Sequence, residues 1–137
     1  MKRILKKKKF QVPSLLSEVQ KTSEKVLSVL KPLALSEPLL FDIRLCLEEA
    51  LINAVKYGNQ LRADLKVRLE VECSDEEVRI KVEDQGEGFD LNQIKDCTQE
   101  ENLLNNNGRG VYLIHRLMDQ VTYNAKGNSL LMVKFLS

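Results

Sequence analysis

The sequence predicts an α+β protein: a two-layer sandwich with helices on one face of a mostly antiparallel, mixed sheet. Three observations predict it. Helical periodicity is concentrated before residue 58, alternation of charged and apolar residues takes over from residue 64, and two short turn sequences split the alternating runs into hairpins. At 137 residues, with 43% hydrophobic and 30% charged content, the chain has length for about one domain of ordinary size. We therefore expect a single domain over 1–137. A task that needs two domains would then draw on a partner or a second copy.

Taken in order, the first element is a basic strand, Arg3 to Val12. Net charge is +1, but Lys2, Arg3, Lys6, Lys7, Lys8 and Lys9 precede the first acidic residue, which leaves the remainder at −5. Lysines on a sheet edge discourage pairing between molecules. Clustered lysines also attract phosphate, so DNA or a membrane surface is the competing reading of residues 1–9. No aromatic residues interleave and no basic helix follows, so neither nucleic acid nor membrane is expected as a partner. Lys6 to Lys9 occupy the place where a signal peptide would be apolar, and no run approaches a membrane span, so a cytoplasmic protein is expected.

Pro13 and Ser14 open a first helix whose Leu16, Val19, Val26, Leu30 and Leu33 recur at near-helical spacing. Ser36-Glu37-Pro38 caps a second helix, and Gly58 ends it; Leu40, Ile43, Leu47, Ala50, Leu51 and Ala54 form its buried stripe. Residues 64–73 and 77–83 read as a hairpin around Ser74-Asp75-Glu76. Asp84 to Asp90 is a glycine-containing loop, and 91–107 is a polar stretch without clear periodicity. A further helix spans Gly108 to Met118, and 120–126 with 129–136 form a second hairpin around Lys126-Gly127-Asn128. Cys46, Cys73 and Cys97 are odd in number and lack a Cys-x-x-Cys pair, which argues against a disulfide framework or a zinc site. His115, the single histidine, falls in a helical apolar pattern and reads as structural.

Three features carry candidate chemistry. Glu49 and Asn53 are four apart and share a helix face, with Cys46 and Lys56 continuing it; the apolar stripe lies mostly opposite, so this face is expected to be open to a ligand. The plain alternative is a pair of solvated helix residues. In Asp84-Gln85-Gly86-Glu87-Gly88, glycines admit a planar ligand and the carboxylate can accept from an exocyclic amine such as adenine's, or the segment is an ordinary turn. Gly108-Arg109-Gly110 opens a helix, where unpaired N–H groups and the helix dipole attract phosphate. It fits neither a Walker loop nor a Rossmann fingerprint.

In this order the three features resemble the N, G1 and G2 boxes of the GHKL ATPases. More closely, Glu49 to Gly58, Gly108 to Ile114 and Leu117-Met118-Asp119 resemble the bacterial anti-sigma-factor serine kinases, over nearly the whole chain from about Phe10. The resemblance implies a Bergerat sandwich that binds ATP and Mg²⁺. By position it implies Glu49 as general base on a serine hydroxyl, Asn53 as Mg²⁺ ligand, Asp84 as reader of the adenine amine, and Gly86 and Gly88 lining the base pocket. Lys56, Gly108, Arg109, Gly110, Val111 and Ser129 complete the implied nucleotide contacts, and 91–107 would be the ATP lid. Implied partners are a STAS-domain antagonist, a sigma factor or similar regulator, and a second copy in a homodimer.

The chain departs from the pattern at Tyr57, where many relatives have His. It departs again at Asn106 and Asn107, where some have Arg. A non-catalytic module that sequesters a partner with ATP as structural ligand is the alternative from another class. A detached histidine-kinase ATPase half is disfavoured because no phosphoacceptor helix is present.

Overall fold

Alternation along residues 66–83 sorts the side chains onto two faces. Val67, Leu69, Val71, Val78, Ile80 and Val82 are buried on one face, and Arg68, Glu70, Arg79 and Lys81, which alternate with them, are charged. In the computed structural model, which describes residues 3–86 and 106–136 and only the backbone over 106–109, these are strands β2 (Lys66–Ser74) and β3 (Glu77–Glu83). With β1 (Ile4–Pro13), β4 (Gln120–Tyr123) and β5 (Ser129–Phe135) they form a five-stranded sheet in the order β1-β2-β3-β5-β4. Every pairing among the described residues is antiparallel.

The basic strand is an edge. β1 pairs only with β2, and its lysines are exposed, with Lys7 in an ion pair to Glu70 at 3.2 Å. The outer sheet face is a surface of cross-strand charge pairs, Arg68 opposite Glu83 and Glu70 opposite Lys81. It includes a shallow depression of about 440 Å³.

Helices cover the other face. α1 (Ser17–Leu30) begins three residues later than Ser14 because Ser14 is fully buried and its hydroxyl donates to the Leu65 carbonyl instead of opening a helix. A short 3-10 turn, Lys31–Leu33, leads to α2 (Glu37–Ile52), whose cap is Ser36 accepting from the Leu39 N–H. Ile43, Leu47 and Leu51 are completely buried against the sheet residues Leu69, Ile80 and Met132 in one core. Beyond Ile52 the helix widens into a π-helical segment, Asn53–Gly58, a variant that periodicity does not reveal. The chain leaves it through Gln60 and Leu61, both left-handed (φ 52° and 60°).

The last helix, α3 (Asn106–Leu117), starts two residues before Gly108, so the glycines lie within its first turns. It lies against α2 and is fixed at its other end by Lys134, whose Nζ donates to the Leu117 carbonyl at 2.7 Å. Asp119 accepts from the Phe135 N–H at 2.6 Å, which pins the turn from α3 to β4 onto β5.

Candidate functional site

The C-terminal half of α2, the end of β3, the start of β5 and the N-terminal half of α3 converge at one end of the sheet. Glu49 and Asn53 stay one turn apart because Asn53, the first residue of the π segment, keeps α-helical angles (φ −62°, ψ −42°) and its N–H still donates to the Glu49 carbonyl. Their face is not the open one that the apolar stripe suggested. Cys46, on the same face, is fully buried, with its Sγ 4.0 Å from the Leu113 carbonyl of α3, and Asn53 is only 7% exposed. The pair therefore addresses the N-terminal turns of α3. Gly110 makes this approach possible, since a Cβ there would stand 2.6 Å from Glu49 Oε2 and 3.4 Å from Asn53 Nδ2. Burial also pushes the pKa of the Cys46 thiol up to about 12, with Asp42 adding to the effect, which favours the protonated thiol.

Asp84 ends β3 and is buried. Burial raises its pKa above the usual carboxylate value, and the Gly86 N–H and the charge of Lys126 oppose that rise. Oδ1 accepts from the Gly86 N–H at 2.8 Å. Its backbone is held from the β4–β5 turn: the Asp84 N–H donates to the Asn128 carbonyl and Asn128 Nδ2 donates to the Asp84 carbonyl, both at 2.9 Å. Asn124 in turn builds that hairpin turn, its Oδ1 accepting from the N–H groups of Gly127, Asn128 and Ser129.

A slot of about 20 Å³ brings Asn53, Asp84, Val111 and Ser129 together, with Ala50, Val82 and Leu130 among its walls. A buried carboxylate among small apolar walls, with Asn53 and Ser129 as further polar groups, suits a flat heterocycle carrying an amine.

Of the remaining predicted site residues, Gly86 packs on the Gly58 carbonyl beside Asp84. Lys56 is exposed and turns away, its Nζ 5.4 Å above the Tyr57 ring. Gly108 and Arg109 are described by backbone only, in the first turn of α3; Gly88 and residues 91–105 of the lid expected over 91–107 lie outside the described residues, and residues 106–107 open α3. His115 stacks on Tyr123 with ring centroids 6.1 Å apart, and burial lowers its pKa. Reading the sequence placed Asn128 only in the hairpin turn and missed Asn124 altogether. Their signal was there, since asparagines four apart around Lys126-Gly127 are turn builders.

Among the described residues no cluster of three or more His, Cys, Asp or Glu could hold a metal ion by itself. A hard divalent cation bound here would take one amide oxygen from Asn53 and the rest of its shell from ligand oxygens and water, as Mg²⁺ commonly does with nucleotides.

A carboxylate and an amide on a helix thus face a glycine-rich helix start, beside a buried aspartate just past a strand end, in an α+β sandwich. The histidine kinase-like ATPase domain model matches residues 12–134, and the chain belongs to that family. It is similar to the serine-protein kinase RsbW of Staphylococcus epidermidis, 33% identical over 103 residues, which covers 69% of this chain and 65% of that protein. It is also similar to the serine-protein kinases RsbW of Listeria monocytogenes (28%) and Listeria innocua (27%), each match covering 70% of this chain and 66% of theirs. The chain thus spans just under two thirds of the length of these relatives. No helix among the described residues is long and apolar enough to cross a membrane.

Proposed function

We propose that this protein is an ATP- and Mg²⁺-dependent serine/threonine protein kinase that phosphorylates a serine on a STAS-domain antagonist and sequesters a sigma factor or similar regulator, acting in the cytoplasm as a homodimer. The observation that carries the kinase reading is the meeting of Glu49 and Asn53 with the Gly110 backbone, one slot away from Asp84. The names of the similar proteins support the same class of reaction, and the antagonist, the regulator and the dimer follow the resemblance of the three motifs.

Bound Mg-ATP supplies the transferable phosphoryl group and the neutralising charge on it. The chain's own residues then do four things. Asp84 accepts a hydrogen bond from the adenine amine, with Gly86, Gly88 and Ser129 around the base. The Asn53 amide oxygen holds the cation. The backbone from Gly108 to Val111, with Arg109, binds phosphate oxygens at the positive end of α3. Glu49 takes the proton from the attacking serine hydroxyl as its oxygen bonds to the γ-phosphorus and ADP departs. The slot is smaller than a purine, so entry of the base would require its walls to move.

The test is incubation with Mg-ATP and candidate STAS-domain proteins. We expect phosphoserine on the STAS protein, and Glu49→Ala should reduce transfer by about 10²–10⁴-fold, the usual contribution of a positioned base, while ATP still binds. No phosphoserine, or Glu49→Ala equal to wild type, would sink the kinase reading. ATP binding without transfer to any partner would favour the non-catalytic module.

A further inference from the structure

Asn59 follows the glycine that ends the π-helical segment and belongs to none of the three motifs that mark the site. It is 1% exposed, and its amide is used in both directions. Nδ2 donates to Ser14 Oγ at 2.8 Å and to the Lys66 carbonyl at 3.0 Å, which employs both of its hydrogens. Oδ1 accepts from the Gln85 N–H at 2.8 Å. The neighbours close the network: Ser14 Oγ donates to the Leu65 carbonyl at 2.8 Å, and the Lys66 N–H donates to Gln85 Oε1 at 2.6 Å. One buried amide thus ties the end of β1 and the start of β2 to the residue that follows Asp84.

The loop is held from two sides. Asn128 fixes the backbone of Asp84, and Asn59 fixes the next N–H along. Between them lies the 84–85 peptide, whose orientation also decides whether the Gly86 N–H reaches Asp84 Oδ1. Releasing the Gln85 N–H would leave that peptide held on its carbonyl side alone, by Asn128, so the direction of the carboxylate would loosen while Glu49, Asn53 and α3 stayed where they are. A fully satisfied buried network of this kind gives rigidity that its separate bonds would not.

We propose that Asn59 is the positioning residue for base recognition: acting through the Gln85 N–H, it aims the Asp84 carboxylate at the exocyclic amine of the purine without touching the nucleotide. This rests on the reading of Asp84 as the acceptor of that amine. Its signature is selective. Phosphate binding is untouched, and discrimination between purines that differ at the amine is lost.

The experiment compares dissociation constants of the full chain for Mg-ATP and Mg-ITP, which share phosphates and sugar but differ by a carbonyl in place of the amine. Wild type should prefer ATP. Asn59→Ala should weaken ATP about tenfold, the size expected for one buried hydrogen bond, and leave ITP nearly unchanged, with circular dichroism verifying that the variant is folded at the temperature used. Equal weakening of both nucleotides, or an unchanged ratio in folded Asn59→Ala, overturns the proposal.

Should that variant not fold, Asn59→Ser, which keeps a polar group there but is too short to reach the Gln85 N–H, should lower the ratio likewise; an unchanged ratio there overturns it too. Asp84→Asn separates the two levels of inference. If wild type does not distinguish ATP from ITP, the role of Asp84 falls and that of Asn59 with it. If Asp84→Asn collapses the ratio and Asn59→Ala does not, only the Asn59 proposal falls.

Discussion

Three glycines around the site, Gly58, Gly86 and Gly110, leave no room for a Cβ, and at the last two the kind of atom in the way predicts different outcomes for substitution. At Gly86 a Cβ would collide with the carbonyl of Gly58, which is backbone and cannot swing aside. Gly86→Ala must therefore shift the Asp84 loop or the π-helical segment, and we expect a loss of about 1–3 kcal/mol in urea unfolding, as for overpacking elsewhere. At Gly110 the obstacle is Glu49 Oε2, the end of a flexible side chain. Gly110→Ala should keep its stability within about 1 kcal/mol, since Glu49 can change rotamer. Phosphoryl transfer should fall because the base has moved. Equal destabilisation by the two substitutions would contradict this contrast. Glu49, Asn53 and Asp84 were legible in the sequence because each sits in a spaced motif. Asn59 was not, because a lone asparagine after a helix-ending glycine looks like an ordinary turn residue, and only tertiary structure shows that its amide is buried in contact with three segments.

Among elements, both hairpins and the body of each helix follow from periodicity. The differences arise where a long-range partner overrides a local signal. Ser14 is drawn into the sheet end by Leu65, which delays α1. The widening of α2 at Asn53 follows no local breaker. The openness of the Glu49 face was misread because Cys46, small and weakly apolar, gave no hint that α3 covers it. The Leu117-Met118-Asp119 match acquires a physical role here, since Asp119 and Lys134 fasten the C-terminal end of α3 to β5. Lys134→Met removes the cation from a helix C-terminus together with its hydrogen bond. It should lower stability by about 1–2 kcal/mol in denaturant melts. Nucleotide affinity should hardly change, because the N-terminal turns of α3 meet α2 separately, at Gly110. A large affinity loss at small stability cost would mean instead that the two ends of α3 move as one rod.

For the molecule as a whole, the site is built from parts that the sheet order brings together. α2 and α3 meet over the same end of the sheet as the β3 and β5 termini, so a ligand lodged there touches elements from both halves of the sequence. Binding at such a junction should stabilise the entire fold and not one hairpin. A ligand that binds only the native state at about 100 times its dissociation constant adds roughly 2.7 kcal/mol. For a chain of 137 residues we expect this to raise the melting temperature by about 8–15 °C in a single cooperative step. Glu49→Ala should keep the full shift with Mg-ATP, because a proton acceptor for the substrate hydroxyl adds little to ground-state nucleotide binding. Asp84→Asn should lose much of it, because the amide turns an acceptor into a partial donor facing the amine. Differential scanning fluorimetry of the three proteins with and without Mg-ATP measures both. If Glu49→Ala abolished the shift and Asp84→Asn preserved it, the roles of the two carboxylates would be exchanged, and the base would have to lie against α3 and not in the slot beside β3.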